Sequence, residues 1–327
     1  MILEYIKDLE NVGLNFLDLG SSGSLDLKWN PIRGLINLVG FDPNVEECER
    51  QNSLISEYRK SLFLPYAVST SDGIETLYKT RNIFCYSLLK PNKPWLDRFS
   101  FHEYFDVLEE AKIHVKAIDQ ITELSDFNPD IIKIDVQGLE LPILQKSDRF
   151  LESAFLVETE SGFTENYLNE SVFSTLSSFM SVNNYLMFDI NVNHRIPRNN
   201  SFKDFPTGKE QILWAESVWL KDYIGMFEKG NLDLRIFTEE KIKKILIICS
   251  LQKCFDYGFE LAEFFSKNGL LPQNDLKNLS HFAAWGIEKT ENVRDFNKFF
   301  NILKNFLNNS YKIVVSSLKM MNMKHWF

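Results

Sequence analysis

The sequence has no long hydrophobic run. Its most apolar stretch, KKILIICSLQKCF at 243–255, is broken by polar residues within a few positions. A helix that crosses a bilayer needs roughly 20 mostly apolar residues, so no spanning segment is expected. The opening MILEYIKDLENVG lacks the basic start and unbroken apolar core of a secretion signal. Cysteine is scarce: Cys48, Cys85, Cys249 and Cys254 form no CxxC and no metal-ligand spacing. A disulfide framework is thereby disfavoured, and free thiols in a reducing cytoplasm are expected. Positive charge is also short. Lys and Arg number 36 against 45 acids, a net charge of -9, which argues against broad nucleic-acid binding, since phosphate neutralisation requires a basic surface. What is abundant is ordinary core material: 44% hydrophobic residues over 327 positions, enough for a large domain without staples.

Short apolar runs alternate with helical patterns up to about residue 220. Strands are expected at 15–20, 37–44, 62–69, 73–80, 113–119, 130–138 and 154–161, with two late ones at 185–191 and 211–222. Helices are expected at 45–60, after Gly138, and at 172–184. Such alternation predicts an α/β fold with a mostly parallel sheet and helices on both faces. Right-handed crossovers then put the loops of interest at the carboxyl ends of the strands. The composition shifts near 221. From there to the end stand 16 Lys and Arg and 12 acids, a balance of +4, against -13 before it. The expected organisation is a domain over 1–225 and a helical C-terminal extension over 226–327. After Asp295 the chain has five lysines and no acid, a mixture able to meet an anionic membrane surface or a partner protein, or to pack on its own domain.

A glycine is missing where a dinucleotide site would want it. NFLDLGSSGS at 15–24 supplies Gly20 and Gly23, but Ser22 and Leu25 stand where G-x-G-x-x-G requires glycine. Asp18 would repel a pyrophosphate and suits a ligand with a cationic end, such as the ammonium of S-adenosylmethionine (SAM). A plain turn after a strand also satisfies this stretch. Asp42, in LVGFDPN, follows Gly20 by 22 residues. A carboxylate there can accept both hydroxyls of a ribose, or simply begin an Asp-Pro turn. In DIIKIDVQGLELPIL at 130–144, Lys133 and Asp135 fall on one side of an apolar strand. Asp135 reaches the crevice, Lys133 serves a site or an internal ion pair, and Glu140 stands in the first turn of a helix. Three readings stay open on these residues: a SAM-dependent enzyme, an NAD-dependent oxidoreductase, and a non-catalytic module whose extension carries the function.

FLDLGSSGS, LVGFDPN, SLLKPN, KAIDQI, IIKIDVQGLELPIL, FLVETESGFTENY and ILWAESVWLKD occur in the order seen in the FkbM family of SAM-dependent methyltransferases, which the chain resembles over about residues 12–222. The resemblance implies a Rossmann-like class I methyltransferase fold, with a seven-stranded sheet whose last strand pair is antiparallel. It also implies SAM as methyl donor and an O-methylated hydroxyl on a saccharide or other small hydroxylated metabolite. Carried over position by position, Asp18, Gly20 and Gly23 match the loop for the methionine part, Asp42 the ribose acid, and Asp135 the acid near the transferred methyl. The expected cofactor set is Asp18, Gly20, Ser21, Ser22, Gly23, Asp42, Pro43, Ala67, Val68 and Asp135, with no metal. An alcohol acceptor benefits from a general base. The candidates are Asp135, Glu160 and His194, with Glu158 beside Glu160 on the same strand face. Residues 87–99 read as a lid or a packed loop, and Phe163 and Tyr167 as walls for the acceptor or as ordinary apolar positions.

Overall fold

The structure, a computed structural model, describes residues 2–21, 25–54, 56–192, 194–201 and 208–276. The chain divides into two compact units, Leu9–Ile236 and a second made of Met1–Asp8 with Phe237–Phe327.

In the larger unit, β1 (Leu14–Leu19) is followed by a 3-10 segment over Leu27–Leu35, then β2 (Ile36–Phe41). A helix over Val45–Ser53 leads to β3 (Lys60–Leu64). Next come β4 (Ala67–Ser69), β5 (Gly73–Thr80) and β6 (Val107–Ala117). The apolar run at 131–134 is β7 (Ile131–Ile134), and β8 (Leu156–Gly162) follows two short helices over Glu140–Leu144 and Asp148–Ser153. After a helix over Phe173–Val182 the chain forms β9 (Tyr185–Asn191), β10 (Arg195–Ile196), β11 (Gln211–Ile212) and β12 (Trp214–Lys221).

Seven strands make the central sheet in the order β3-β2-β1-β7-β8-β12-β9. All pairings are parallel except those of β12, which runs antiparallel to both β8 and β9. Leu17, Leu19, Ile132, Ile134 and Val157 on one face pack with Leu141, Leu144, Phe150, Leu176 and Met180 from the helices. On the other face Phe16 meets Trp29 edge-on, with ring centroids 5.3 Å apart. Buried polar groups among the late strands satisfy one another. The Trp219 indole N–H donates to the Ser217 and Thr159 hydroxyls at 2.9 and 3.2 Å, and the Tyr185 hydroxyl lies 2.9 Å from the carbonyls of both Leu151 and Ala154.

The expected elements differ at 45–60 and at 62–69, and the segment at 87–99 takes the packed one of its two readings. The expected helix at 45–60 stops at Ser53, because Asn52 turns its carboxamide onto the backbone of β3: its Nδ2 donates to the Phe63 carbonyl and its Oδ1 accepts from the Phe63 N–H, both at 2.8 Å. The expected strand at 62–69 is two strands, and the second, β4, leaves the central sheet. With β5 and β6 it forms a separate three-stranded sheet in the order β4-β6-β5. The segment at 87–99 is packed. Pro91 and Tyr167 form an antiparallel bridge, the Asn92 N–H donates to the Asn166 carbonyl at 2.8 Å, and Leu96 is fully buried.

In the smaller unit, helices over Glu239–Leu251 and Phe255–Lys267 present Ile245, Leu246, Ile248, Leu261 and Phe265 to its interior. Among the described residues no helix is long and apolar enough to cross a membrane. The lysine-rich stretch after Asp295 lies outside the described residues.

Asn52→Ala removes the two-way clamp on β3 and leaves a part-buried N–H and carbonyl unpaired. The expected loss is about 1–2 kcal/mol in urea unfolding of the full chain.

Candidate active site

The carboxyl ends of β1, β2, β7 and β8 meet at one edge of the sheet, and the sequence motifs converge there. The chain turns out of β1 at Gly20, whose φ of +87° lies in the left-handed region. A Cβ on Gly20 would stand 1.9 Å from the Asp135 carbonyl oxygen, so only glycine fits so close an approach of two backbones. The Gly20 and Ser21 N–H groups both donate to the Phe41 carbonyl, at 3.2 and 2.8 Å. The Ser21 hydroxyl is buried and has no hydrogen-bond partner among the described residues. Ser22 and Gly23 lie outside the described residues.

Asp42 stands one residue past β2 and is half-buried. Its Oδ1 accepts from the Asn44 N–H at 2.7 Å. Burial pushes its carboxyl up, and the Asn44 hydrogen bond opposes that rise. Such a group gains by accepting further donors from a ligand. Pro43 beside it is exposed. Ala67 and Val68 are buried in β4, where Ala67 pairs with Val115 and Val68 packs into the main core. Their expected cofactor role comes down to backbone or edge contact, since the Val68 side chain belongs to the core.

Asp18 is buried, 3% exposed. It lies in register with Lys133 on β7, whose ammonium is 3.4 Å away, and Lys133 is in register with Glu158 on β8. The Lys28 ammonium closes the row, 2.7 Å from Glu158. Burial alone would lower the Lys133 pKa; Asp18, then Asp135 and Glu158, outweigh it and hold the ammonium above its ordinary range. The positive charge facing Asp18 is thus supplied by the protein. Glu158 likewise belongs to this row.

Asp135 and Glu160, at the ends of β7 and β8, are brought together by a residue the sequence did not single out. The Gln137 amide donates from Nε2 to Asp135 Oδ1 and to Glu160 Oε2, both at 2.7 Å. Its Oε1 accepts from the Tyr167 hydroxyl at 2.9 Å, and its carbonyl accepts from the Ser87 hydroxyl at 2.6 Å. Gln137 itself has φ of +58°, a conformation uncommon outside glycine and held here on every side. Burial, then the neighbouring Asp135, pushes the Glu160 carboxyl well above the usual range. Burial and the same two acids push the Cys85 thiol up to about 12, so it stays a thiol.

Two more buried acids shape the surrounding loops. Glu140, 2% exposed, accepts from the Val136 and Gly138 N–H groups at 3.0–3.1 Å. It clamps the turn after β7, a task that its place in a first helical turn did not disclose. Glu170 accepts from the N–H groups of Gly162, Asn166 and Tyr167. It folds the 162–170 loop back so that Tyr167 reaches Gln137. Tyr167 is a buried structural donor, and Phe163 is partly exposed against Phe173. The His194 ring stacks on Trp214, with centroids 5.0 Å apart. Among the described residues no group of three or more His, Cys, Asp or Glu is placed to hold a metal ion.

The model of the Methyltransferase FkbM domain matches residues 23–187, half of the chain. The chain belongs to the FkbM methyltransferase family. It is accordingly a SAM-dependent methyltransferase, and its seven-stranded sheet with one reversed strand is the Rossmann-like form expected. No protein of curated function matches the sequence. Among solved structures the FkbM chain is similar to a TehB-like SAM-dependent methyltransferase from Corynebacterium glutamicum, at 14% identity over 67% of this chain and 86% of that one, with a TM-score of 0.30. It is similar also to a precorrin-6y C5,15-methyltransferase from Geobacter metallireducens, at 11% identity over 67% and 86%, with a TM-score of 0.33. A third is a putative tRNA (m1A22) methyltransferase from Streptococcus pneumoniae in complex with SAM, at 11% identity over 89% and 100%, with a TM-score of 0.32.

The residues present fit SAM. The buried Ser21 hydroxyl, without a hydrogen-bond partner among the described residues, and the half-buried Asp42 carboxyl are polar groups beside the Gly20 turn, which has no room for a side chain.

Burial raises the Glu140 carboxyl to about 8, against the backbone hydrogen bonds it accepts. The folded chain therefore binds a proton there that the unfolded chain releases near 4.5. Stability falls as pH rises from about 4.5 to about 8, and this contribution is flat outside that window. Glu140→Gln is expected to flatten this part of the Tm-against-pH curve, as followed by differential scanning calorimetry.

Proposed function

We propose that this FkbM-family chain is a SAM-dependent O-methyltransferase whose acceptor is a hydroxyl on a saccharide or other small hydroxylated metabolite. The observation that carries this reading is the Asp135–Gln137–Glu160 bridge at the strand ends. When bound, SAM supplies an electrophilic methyl on a sulfonium that leaves as a thioether. An alcohol oxygen is a poor nucleophile until its proton is removed, and a positioned carboxylate does this. Burial and the neighbouring Asp135 push the Glu160 carboxyl toward its neutral form, which gives the two acids different tasks. Asp135 is the acceptor of the hydroxyl proton in this reading, and Glu160 donates a hydrogen bond that steadies the pair. Gln137 fixes both carboxyls, and orientation of this kind contributes much of the rate of an in-line displacement. Asp42, with Pro43, holds the ribose, and the Gly20 turn with Ser21 holds the methionine part.

Two measurements test the assignment. Asp42→Ala is expected to weaken SAM binding by about 10- to 100-fold in calorimetry, the loss of hydrogen bonds to a charged group. Asp135→Asn is expected to lower kcat by about 10²- to 10⁴-fold with tritiated methyl donor and a panel of saccharides, while Glu160→Gln loses less because a neutral amide keeps a donor. Methyl ethers are the expected products; methyl esters or N-methyl products overturn the acceptor assignment.

A further inference from the structure

Beside the carboxylate bridge lies a group of aromatic rings that carries two arginines. Residues 97–100 run antiparallel to 197–199: Phe99 and Arg198 form a bridge, the Asn199 N–H donates to the Arg98 carbonyl at 2.8 Å, and the Ser100 N–H donates to the Pro197 carbonyl at 3.1 Å. This pairing sets both guanidiniums against one indole. The Arg98 guanidinium carbon is 4.9 Å from the Trp95 ring centroid and that of Arg198 is 5.4 Å away. Arg198 also stands 4.2 Å over the Phe99 ring.

Among the described residues neither arginine has an acidic partner within ion-pair distance. Arg198 Nη2 donates to the Gln211 side chain, and its Nη1 is buried with no hydrogen-bond partner. Burial, then the charge of Arg98, lowers the Arg198 pKa, the direction expected of a cation short of a counter-ion. Lys93 nearby, by contrast, meets Asp97 and Asp106 at 2.8 and 2.6 Å.

The group is tied to the reacting end of the sheet through one loop. The Trp95 indole N–H donates to Asn166 Oδ1 at 3.2 Å, and the next residue, Tyr167, donates to Gln137. Phe101 joins the same rings to Trp214 at the start of β12, with centroids 5.7 Å apart.

The geometry points to an anion subsite formed by Arg98 and Arg198, which holds a carboxylate or phosphate group carried by the methyl acceptor. This rests on the reading of the chain as a methyltransferase with a hydroxylated acceptor, and it narrows that acceptor to an acidic one. A guanidinium offers paired N–H donors that match carboxylate and phosphate oxygens. The flat faces of Trp95 and Phe99 hold the guanidiniums in place before the anion arrives, so less freedom is lost on binding. The anion relieves the repulsion between the two cations, the charge of Arg98 being one of the two influences that lower the Arg198 pKa. Arg98, which is exposed, supplies the outer half of the pair.

Calorimetry on the full chain with glucuronate, glucose 6-phosphate and glucose as probes tests this. At least one anionic probe is expected to bind saturably and about tenfold or more tighter than glucose. Glucuronate alone identifies a carboxylated acceptor, and glucose 6-phosphate alone a phosphorylated one. Arg98→Ala and Arg198→Met are each expected to weaken the anionic probe about tenfold or more, with SAM binding unchanged. Arg98 is at the surface, so its variant reports even where Arg198→Met disturbs the loop. Absence of binding by both anions, glucose binding as tightly as they do, or full anion affinity in both variants overturns the subsite. Failure of the wild type to bind SAM in the same samples overturns the methyltransferase assignment instead, whatever the sugars do.

Discussion

Desolvation of carboxylates is the constraint on which this end of the molecule depends. Asp18, Asp135, Glu140, Glu160 and Glu170 are all withdrawn wholly or partly from water at the carboxyl edge of the sheet. A buried acid is costly unless it is paired, hydrogen-bonded or protonated, and each of these solutions is used. Asp18 is paired with Lys133, Glu140 and Glu170 collect backbone N–H groups, and Glu160 is driven toward its neutral form. The turns that satisfy these acids are also the turns that carry the site. Removing an acid therefore changes loop geometry as well as charge.

Gln137 joins the two sets. Its amide holds Asp135 and Glu160 on one side and Tyr167 on the other, so the strand ends and the 162–170 loop are locked to a single residue. Its left-handed backbone is stabilised by the Ser87 hydroxyl on its carbonyl, and Gly138 follows at φ of +110°. Strain held by surrounding contacts keeps reacting groups still. The row Asp18–Lys133–Glu158–Lys28 does the corresponding work one layer below, where in-register strands place alternating charges side by side.

Much of this was legible in the sequence where the signal was local. The runs before Gly20, Asp42 and Asp135 announced parallel strands ending at one edge, because buried parallel strands are apolar throughout. The two-residue alternation in 130–135 put Lys133 and Asp135 on one side, and an internal ion pair was one of the roles open to Lys133. What could not be read was pairing at a distance. Residues 73–80 and 113–119 look like strands, yet nothing local says that they leave the central sheet to pair with each other, or that the second begins at Val107. Gln137 and Glu170 gave no sign either, since a glutamine after a strand and an acid in a loop are common. Their roles arise only when Tyr167 is brought across 30 residues to meet Gln137.

The hairpin of β10 and β11 is held by a two-residue ladder, by the Phe99–Arg198 bridge with the backbone hydrogen bonds beside it, and by Arg198 donating to Gln211. It enters after β9 and leaves into β12, whose own ladders to β8 and β9 are long and fixed. In the proposed reading the anion subsite draws Arg198 from this segment, whereas the carboxylate bridge is built on the ends of β7 and β8, so acceptor preference and chemistry come from different elements.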